Sequence, residues 1–460
     1  MNLLSTDDRR LSKLLSSGEV TVGVYGLGWM GLPTACLFLE AGATVKGVDV
    51  DDRVVELLSA GKSPIEEEGV GPIIEKYAGS SLSATSDLRY AATTCDVMVI
   101  VVPTRVDSSH RPDYSAIEKA AHEIGFKMRP GSLIILQSTV APGTTEEVIR
   151  PILERNSGLR AGVDFLLAYS PIRAMSGHVL TDMRTHPRIV AGLGEESLKK
   201  VSIVMSLVAK GGVIKMDSIR TAEAVKLFEN VYRDVNIALA NELACLCEEI
   251  GLDFLKVREG ANSQPYCHLH LPGIGVGGHC IPVNPHFLVA SARKVGMDAR
   301  MVRYGRLRND RMPAHTVELV EAALRECRRS IGRSSIALLG VSYRANVKEP
   351  RNSPSLEVAH RLRKLGGRVR VYDPYYTADE LKEMGCISSE SLERAVQGAN
   401  CLLVAVGHDQ FRDLPLGHIS QLMRKPACLV DSARVVNSEE ATQHGLVYYG
   451  VGFGRKPSGD

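Results

Sequence analysis

Long apolar runs, CxxC cysteine pairs and an excess of charge of one sign are all missing from this 460-residue chain. Without an apolar run long enough to cross a bilayer, no membrane-spanning helix is expected. Residues Met1 to Glu19 are polar and charged, with no apolar core ahead of a small-residue cleavage site, so no secretory leader is expected either and the cytoplasm is the expected compartment. The ten cysteines are scattered and form no CxxC, which removes the main cue for a metal finger or a thioredoxin-like motif, so no metal is expected. Lys plus Arg number 55 against 53 Asp plus Glu, a net charge of +2 with no long basic run. That balance gives no footprint for nucleic acid and leaves small acidic ligands open.

What is present suits two or three soluble domains: 44% hydrophobic and 23% charged residues. Thr21-Val22-Gly23-Val24-Tyr25 reads as a buried strand running into Gly26-Leu27-Gly28-Trp29-Met30-Gly31. A helix follows over Leu32 to Ala41, closed by Gly42, and a second strand from Thr44 ends in Asp49. A lone G-x-G-x-x-G occurs by chance. Strand, glycines, helix, strand and terminal acid together form the dinucleotide fingerprint, each glycine serving the turn, the pyrophosphate approach or the helix packing. An acid at Asp49 takes the ribose hydroxyls and favours NAD over NADP, with Lys46 and Arg53 nearby.

Two continuous apolar strands, Asp96 to Thr104 and Ser132 to Thr139, read as parallel strands buried on both faces. Ligands bind beyond the carboxyl ends of such strands, so Thr104 and Thr139 are candidates for the cofactor crevice, the alternative being that their hydroxyls cap the next helices. Val163 to Ser170 begins a further strand. From about Ala222 to Ile250 apolar residues recur at helical spacing without Gly or Pro, which predicts one long helix suited to bridging domains and to forming a dimer surface. Lys226 and Asn230 share one face of it, where a Lys in apolar surroundings needs a partner or a ligand.

From Arg333 the order strand, turn, helix, glycine, strand, acid returns. Ser334 to Gly340 is the strand, about Ser353 to Leu365 the helix, and Arg368 to Asp373 the second strand with its acid. The glycine fingerprint is missing from this copy, which points to a nucleotide-like pocket built differently. Asn400 to Val406 and Ala427 to Asp431 add two strands. Between the halves stands Pro272-Gly273-Ile274-Gly275-Val276-Gly277-Gly278-His279-Cys280, then Ile281-Pro282-Val283-Asn284-Pro285. Glycines let the backbone approach a ligand closely, and a thiol at the end of such a loop beside a His is displayed as a nucleophile would be. The competing reading is a small buried hydrophobe.

These pieces, with Pro64-Ile65-Glu66-Glu67, Ser138-Thr139-Val140-Ala141-Pro142-Gly143-Thr144-Thr145, Gly340-Val341-Ser342-Tyr343-Arg344 and Arg351-Asn352-Ser353-Pro354, resemble the UDP-glucose/GDP-mannose dehydrogenase family over nearly the full length. The Lys226 to Leu243 helix and the Gly-Gly-His-Cys loop resemble the branch acting on UDP-N-acetylhexosamines, the mannosamine epimer placed ahead of glucosamine and of UDP-glucose. The resemblance implies an α/β protein of two Rossmann-like doubly wound domains joined by a central helical domain with a long connecting helix. The boundaries expected are 1–215 for NAD, 216–325 for the central domain with the Cys loop, and 326–460 for the UDP-sugar.

It further implies four-electron oxidation of a sugar C6 alcohol with NAD, no nucleic-acid or membrane partner, and a homodimer. Cys280, Lys226, Asn230, Thr139 and Asn284 are the implied catalytic residues. Cofactor contacts are Gly26, Gly28, Trp29, Met30, Gly31, Asp49, Arg53, Thr104 and Thr139. Substrate contacts are Arg173, Lys226, Asn230, Gly275, Gly277, Gly278, His279, Tyr343, Arg344 and Arg351. Three positions depart from the family pattern: Ile172 where a Glu is usual, Asn284 where an Asp is usual, and Tyr266, with His268 and His270 close by, where the hexosamine branch carries Arg. Two other readings fit the residues: a binding module that has lost its acid/base groups, and a two-electron hydroxyacid-type dehydrogenase, which would need neither Cys280 nor a third domain.

Overall fold

The computed structural model describes residues 1–175 and 177–454. They divide into two compact units, Met1–Glu229 with His286–Met297, and Asn230–Pro285 with the chain from Asp298 onward.

The first unit is built on an eight-stranded sheet whose strands, in order across it, begin at Val213, Arg188, Leu166, Leu133, Val97, Thr21, Thr44 and Leu82. Neighbours run parallel except Leu166–Tyr169 against Arg188–Gly192. Side chains alternate between two cores. Val97 and Val99 join Val22, Val24, Leu133 and Ile135 on one face, while Met98 and Ile100 join Ile134 and Leu136 on the other. A strand apolar on both faces requires layers on both sides, which is why these segments read as unbroken hydrophobic runs. The order of connections reverses between Thr21–Tyr25 and Val97–Ile100, so the ligand crevice of such a sheet opens there.

The second unit repeats the device on six parallel strands beginning, in order, at Ile387, Arg368, Ser335, Cys401, Ala427 and Leu446. Ile336 and Leu338 face one core, Ala337 and Leu339 the other. The long helix runs over Ile219–Glu249, 31 residues. It starts earlier than the apolar pattern suggests because Ser218 Oγ accepts from Thr221 N at 3.0 Å, and Gly251 beyond its end takes φ +74. A second long helix, Arg300–Glu326, contains Pro313. The predicted fold class, two doubly wound sheets with long helices in the central region, is the one observed.

Candidate functional site

At the crossover of the first sheet, Gly26 has φ +94 and a Cβ there would lie 2.8 Å from the Val101 carbonyl oxygen. A Cβ on Gly31 would lie 1.8 Å from the Gly26 carbonyl oxygen, so this glycine closes helix onto strand. Gly28 is different: its Cβ would meet nothing within 4 Å, so nothing in the chain's own packing demands a glycine there. The helix Gly31–Glu40 begins at Met30 with no side-chain cap, which leaves its first amides for an anion. Asp49 Oδ2 accepts from Leu27 N at 2.7 Å and Oδ1 from Asp51 N at 3.0 Å, which fixes the half-exposed carboxylate beside the loop. A hollow lined by Val50, Ser86, Asp87 and Leu88 adjoins this end of the sheet. Open glycine, uncapped helix and fixed acid fit the pyrophosphate and ribose of a dinucleotide.

Trp29 and Met30 are half-buried, with Met30 packed on the core, and Arg53 lies exposed in the first turn of the helix Asp52–Ser59. Thr104 leads into the short ribbon Arg105–Val106 with Pro112–Asp113, and the helical turn after Thr139 starts only at Thr145. Neither hydroxyl therefore caps a helix.

The turn after Thr139 is held by two residues that the sequence reading did not select. Glu223, fully buried, accepts from Gly143 N at 2.5 Å, Thr145 N at 2.8 Å and Thr145 Oγ1 at 2.6 Å. Burial pushes its carboxyl up to about 7, against the three donors that favour the ionised form. Tyr114 OH accepts from Ala141 N at 3.0 Å, and its ring stands edge-on to Phe287 at 6.0 Å. The clamp on Glu223 sits one helical turn before Lys226, itself buried. Arg173 pairs with Glu229 at 2.8 Å and donates to the Pro187 carbonyl at 3.2 Å. Ile172 is buried in the apolar core of the first unit that also holds Val179, Leu180 and Val190. Glu67 of the Pro-Ile-Glu-Glu motif accepts from Gly177 N and Val179 N, so it anchors the following helix.

In the second unit the glycine loop is docked on the turn Tyr343–Pro354. A Cβ on Gly277 would stand 2.5 Å from Tyr343 Cβ and 2.7 Å from the Asn352 carbonyl oxygen, and one on Gly278 would stand 3.0 Å from the Tyr343 ring. Gly275, at φ +138, faces Pro354 in the same way. The small residues expected to admit a ligand are thus required first by this packing of one segment of the chain on another. Asn352, at φ +51, donates from Nδ2 to the Gly278 carbonyl at 2.9 Å, and Gly278 N donates to the Arg351 carbonyl at 3.0 Å. Arg351 spreads its fork over the Glu349 carboxylate, with Nε at 2.9 Å and Nη2 at 2.6 Å, so that part of the guanidinium expected to grip diphosphate is engaged with an acid the sequence reading missed. Burial would raise the Glu349 carboxyl, but Arg351 outweighs it and holds the group below its usual range.

His279 and Cys280 are half-buried at the end of this loop. A side-chain hydrogen bond with Cys280, in which the protonated ring donates, is the main cause that raises the His279 imidazole above its usual value. Asn284 is buried, its amide N donating to the Cys280 carbonyl at 2.9 Å, and its side-chain Nδ2 has no hydrogen-bond partner among the described residues. A buried donor with no protein partner suits a water or a substrate oxygen. Asn230 is buried, Arg344 half-buried, and Tyr266 is 91% exposed.

The chain matches three domain models of one family: the NAD binding domain over residues 20–208, the central domain over 220–311 and the UDP binding domain over 337–438. It is 34% identical over 433 residues to the UDP-N-acetyl-D-mannosamine dehydrogenase of Pyrococcus horikoshii, covering 94% of this chain and 99% of that protein. A solved structure of the UDP-D-ManNAc dehydrogenase from Pyrococcus horikoshii superposes with a TM-score of 0.86 at 33% identity, covering 95% of this chain and 100% of that one. An NDP-N-acetyl-D-galactosaminuronic acid dehydrogenase from Methanosarcina mazei superposes with a TM-score of 0.82 at 32% identity, covering 98% of each. These matches over nearly the whole length place the chain in the UDP-glucose/GDP-mannose dehydrogenase family, as an NAD-dependent nucleotide-sugar dehydrogenase.

Proposed function

We propose that the protein oxidises the C6 hydroxyl of a UDP-N-acetylhexosamine, UDP-N-acetyl-D-mannosamine first, to the uronate in two steps without releasing the aldehyde. The observation that carries the reading is the Cys280–His279 pair on a loop locked to the turn of Tyr343 and Asn352. NAD, when bound, supplies the hydride acceptor for both oxidations. Gly28, the Met30–Gly31 amides and Asp49 hold its pyrophosphate and ribose, with Trp29, Arg53 and Thr104 as further contacts. Cys280 Sγ adds to the C6 aldehyde and holds it as a thiohemiacetal, and loss of a second hydride and a proton leaves a thioester. Water cleaves that to carboxylate and free thiol. Lys226 and Asn230 are assigned the oxyanions, Thr139 and Asn284 the hydrolytic water, and Arg173, Gly275, Tyr343, Arg344 and Arg351 the nucleotide sugar. Ile172 cannot move a proton and Asn284 orients water without acting as its base, so thioester hydrolysis limits turnover.

The domains follow the division 1–215, 216–325 and 326–460, in a cytoplasmic enzyme serving polysaccharide biosynthesis. A homodimer is supported by the apolar residues Phe228, Tyr232, Leu239 and Leu246 along the connecting helix and Ile250 just past its end, all more than 45% exposed. A binding module that has lost its chemistry is the second reading, favoured by the apolar setting of Ile172. One experiment separates them. Wild-type protein with UDP-N-acetyl-D-mannosamine should form two NADH per uronate, in a burst and then a slow phase that Asn284→Asp quickens. Cys280→Ser should stop the second oxidation, and two NADH per sugar at the wild-type rate from that variant would sink the mechanism. Binding with no NADH from wild type across UDP-hexosamines would favour the second reading.

A further inference from the structure

A group of ligand-type side chains stands in the second unit away from the glycine loop. Cys245 and Glu248 lie three residues apart on one face of the connecting helix, and His315 faces them from the helix Arg300–Glu326. One ligand atom from each, a thiol sulphur, a carboxylate oxygen and an imidazole nitrogen, lies within 4.8 Å of the other two. His315 Nε2 is 2.9 Å from Glu248 Oε2. All three are partly buried, so the group is screened from bulk water and still reachable.

The surroundings supply what orients ligands in metal sites. The other ring nitrogen, His315 Nδ1, is 3.6 Å from Glu318 Oε2, so a carboxylate backs the imidazole. Glu248 Oε1 accepts from Gly452 N at 2.6 Å, which fixes the second carboxylate. Gly452 reaches that position only as glycine: it has φ +74, and a Cβ would lie 2.8 Å from Phe254 Cβ and 3.0 Å from Ala244 Cβ. A hydrogen-bonded Glu–His pair alone would explain the two charged groups. The Cys245 thiol, in no disulfide, hydrogen-bonds the same imidazole, so three donor atoms of different kinds converge on one point.

We propose that Cys245, Glu248 and His315 form a zinc site, with water in the fourth position, that ties the connecting helix to the helix Arg300–Glu326 and to the turn at Gly452. Mixed sulphur, nitrogen and oxygen donors suit a borderline-soft, tetrahedral divalent ion. Thiolate, carboxylate and neutral imidazole are the forms that bind such an ion, so binding weakens as pH falls. No C-x-x-C spacing signals the site because the His lies 67 residues from Glu248 in the chain.

The test uses full-length Cys280→Ser protein, stripped with a chelator, so that the nucleophile proposed above cannot contribute a thiolate. Cobalt(II) should bind at one equivalent with a thiolate-to-cobalt charge-transfer band, and zinc should displace it one for one. Adding Cys245→Ser should abolish the band and weaken zinc binding at least tenfold. His315→Gln in the same background should weaken zinc binding at least tenfold while leaving NAD binding as it was, which guards against a misfolded first variant. Absence of the band in the Cys280→Ser protein, or its persistence after Cys245→Ser, would overturn the assignment.

Discussion

The two sheets open their crossovers with the same backbone device and use it for opposite ends. In the first, Gly26 at φ +94 is followed by Leu27, whose amide donates to Asp49 at 2.7 Å. In the second, Gly340 at φ +91 is followed by Val341, whose amide donates to Asp373, also at 2.7 Å. Beyond that point they part. Asp49 is half-exposed and the loop continues through Gly28 into open space. Asp373 is 1% exposed, with His408 Nε2 3.2 Å from its Oδ2, His408 Nδ1 accepting from Asn346 N at 2.9 Å, and Tyr375 and Phe411 packed on the imidazole. A ribose can reach the first acid and is shut out from the second. The shared turn makes the fold, and the acid it holds is open in the first sheet and covered in the second.

That contrast predicts different failures from one type of substitution. Gly340→Val sets a side chain 2.5 Å from Val406 Cβ at φ +91, and should destabilise the protein by about 3 kcal/mol or more in denaturant titration. Gly28→Val meets no protein atom within 4 Å, so it should leave the melting temperature nearly unchanged while weakening NAD about 100-fold, roughly 2.7 kcal/mol. Equal stability losses at the two glycines would erase the distinction. His408→Ala should cost about 2 kcal/mol by stripping a partner from the buried Asp373 and the Asn346 amide, with NAD affinity unmoved.

The smallest effect concerns the clamp on the first crossover's neighbouring turn. Glu223 keeps its proton to about pH 7 in the folded protein against 4.5 as usual, so the folded state binds the extra proton. Its contribution is complete below about pH 4.5 and is lost as pH rises through 7. Wild-type stability should therefore fall by about 1–2 kcal/mol more than that of Glu223→Gln over this window in parallel pH-dependent melts.

Much of the framework was legible because it is local. Strands apolar on both faces, the Gly26 to Asp49 spacing and the unbroken helical period from Ala222 each declare themselves within a few tens of residues. The partners were not, because they act across the chain. Glu223 reaches back 80 residues to Gly143, and His408 reaches 35 to Asp373. Glu349 lies only two residues from Arg351, yet nothing in an alternating polar stretch marks it as the acid that engages the guanidinium. Gly277 and Gly278 were legible as close-approach glycines, but only the three-dimensional structure identifies Tyr343 and Asn352 as what they approach.

The most direct test is calorimetric titration of NAD into the full-length protein and its Gly28→Val variant. One equivalent per chain, lost in the variant while UDP binding persists, is the predicted result. Two equivalents, or one that survives Gly28→Val with unchanged affinity, would contradict the assignment of the dinucleotide to the first crossover alone.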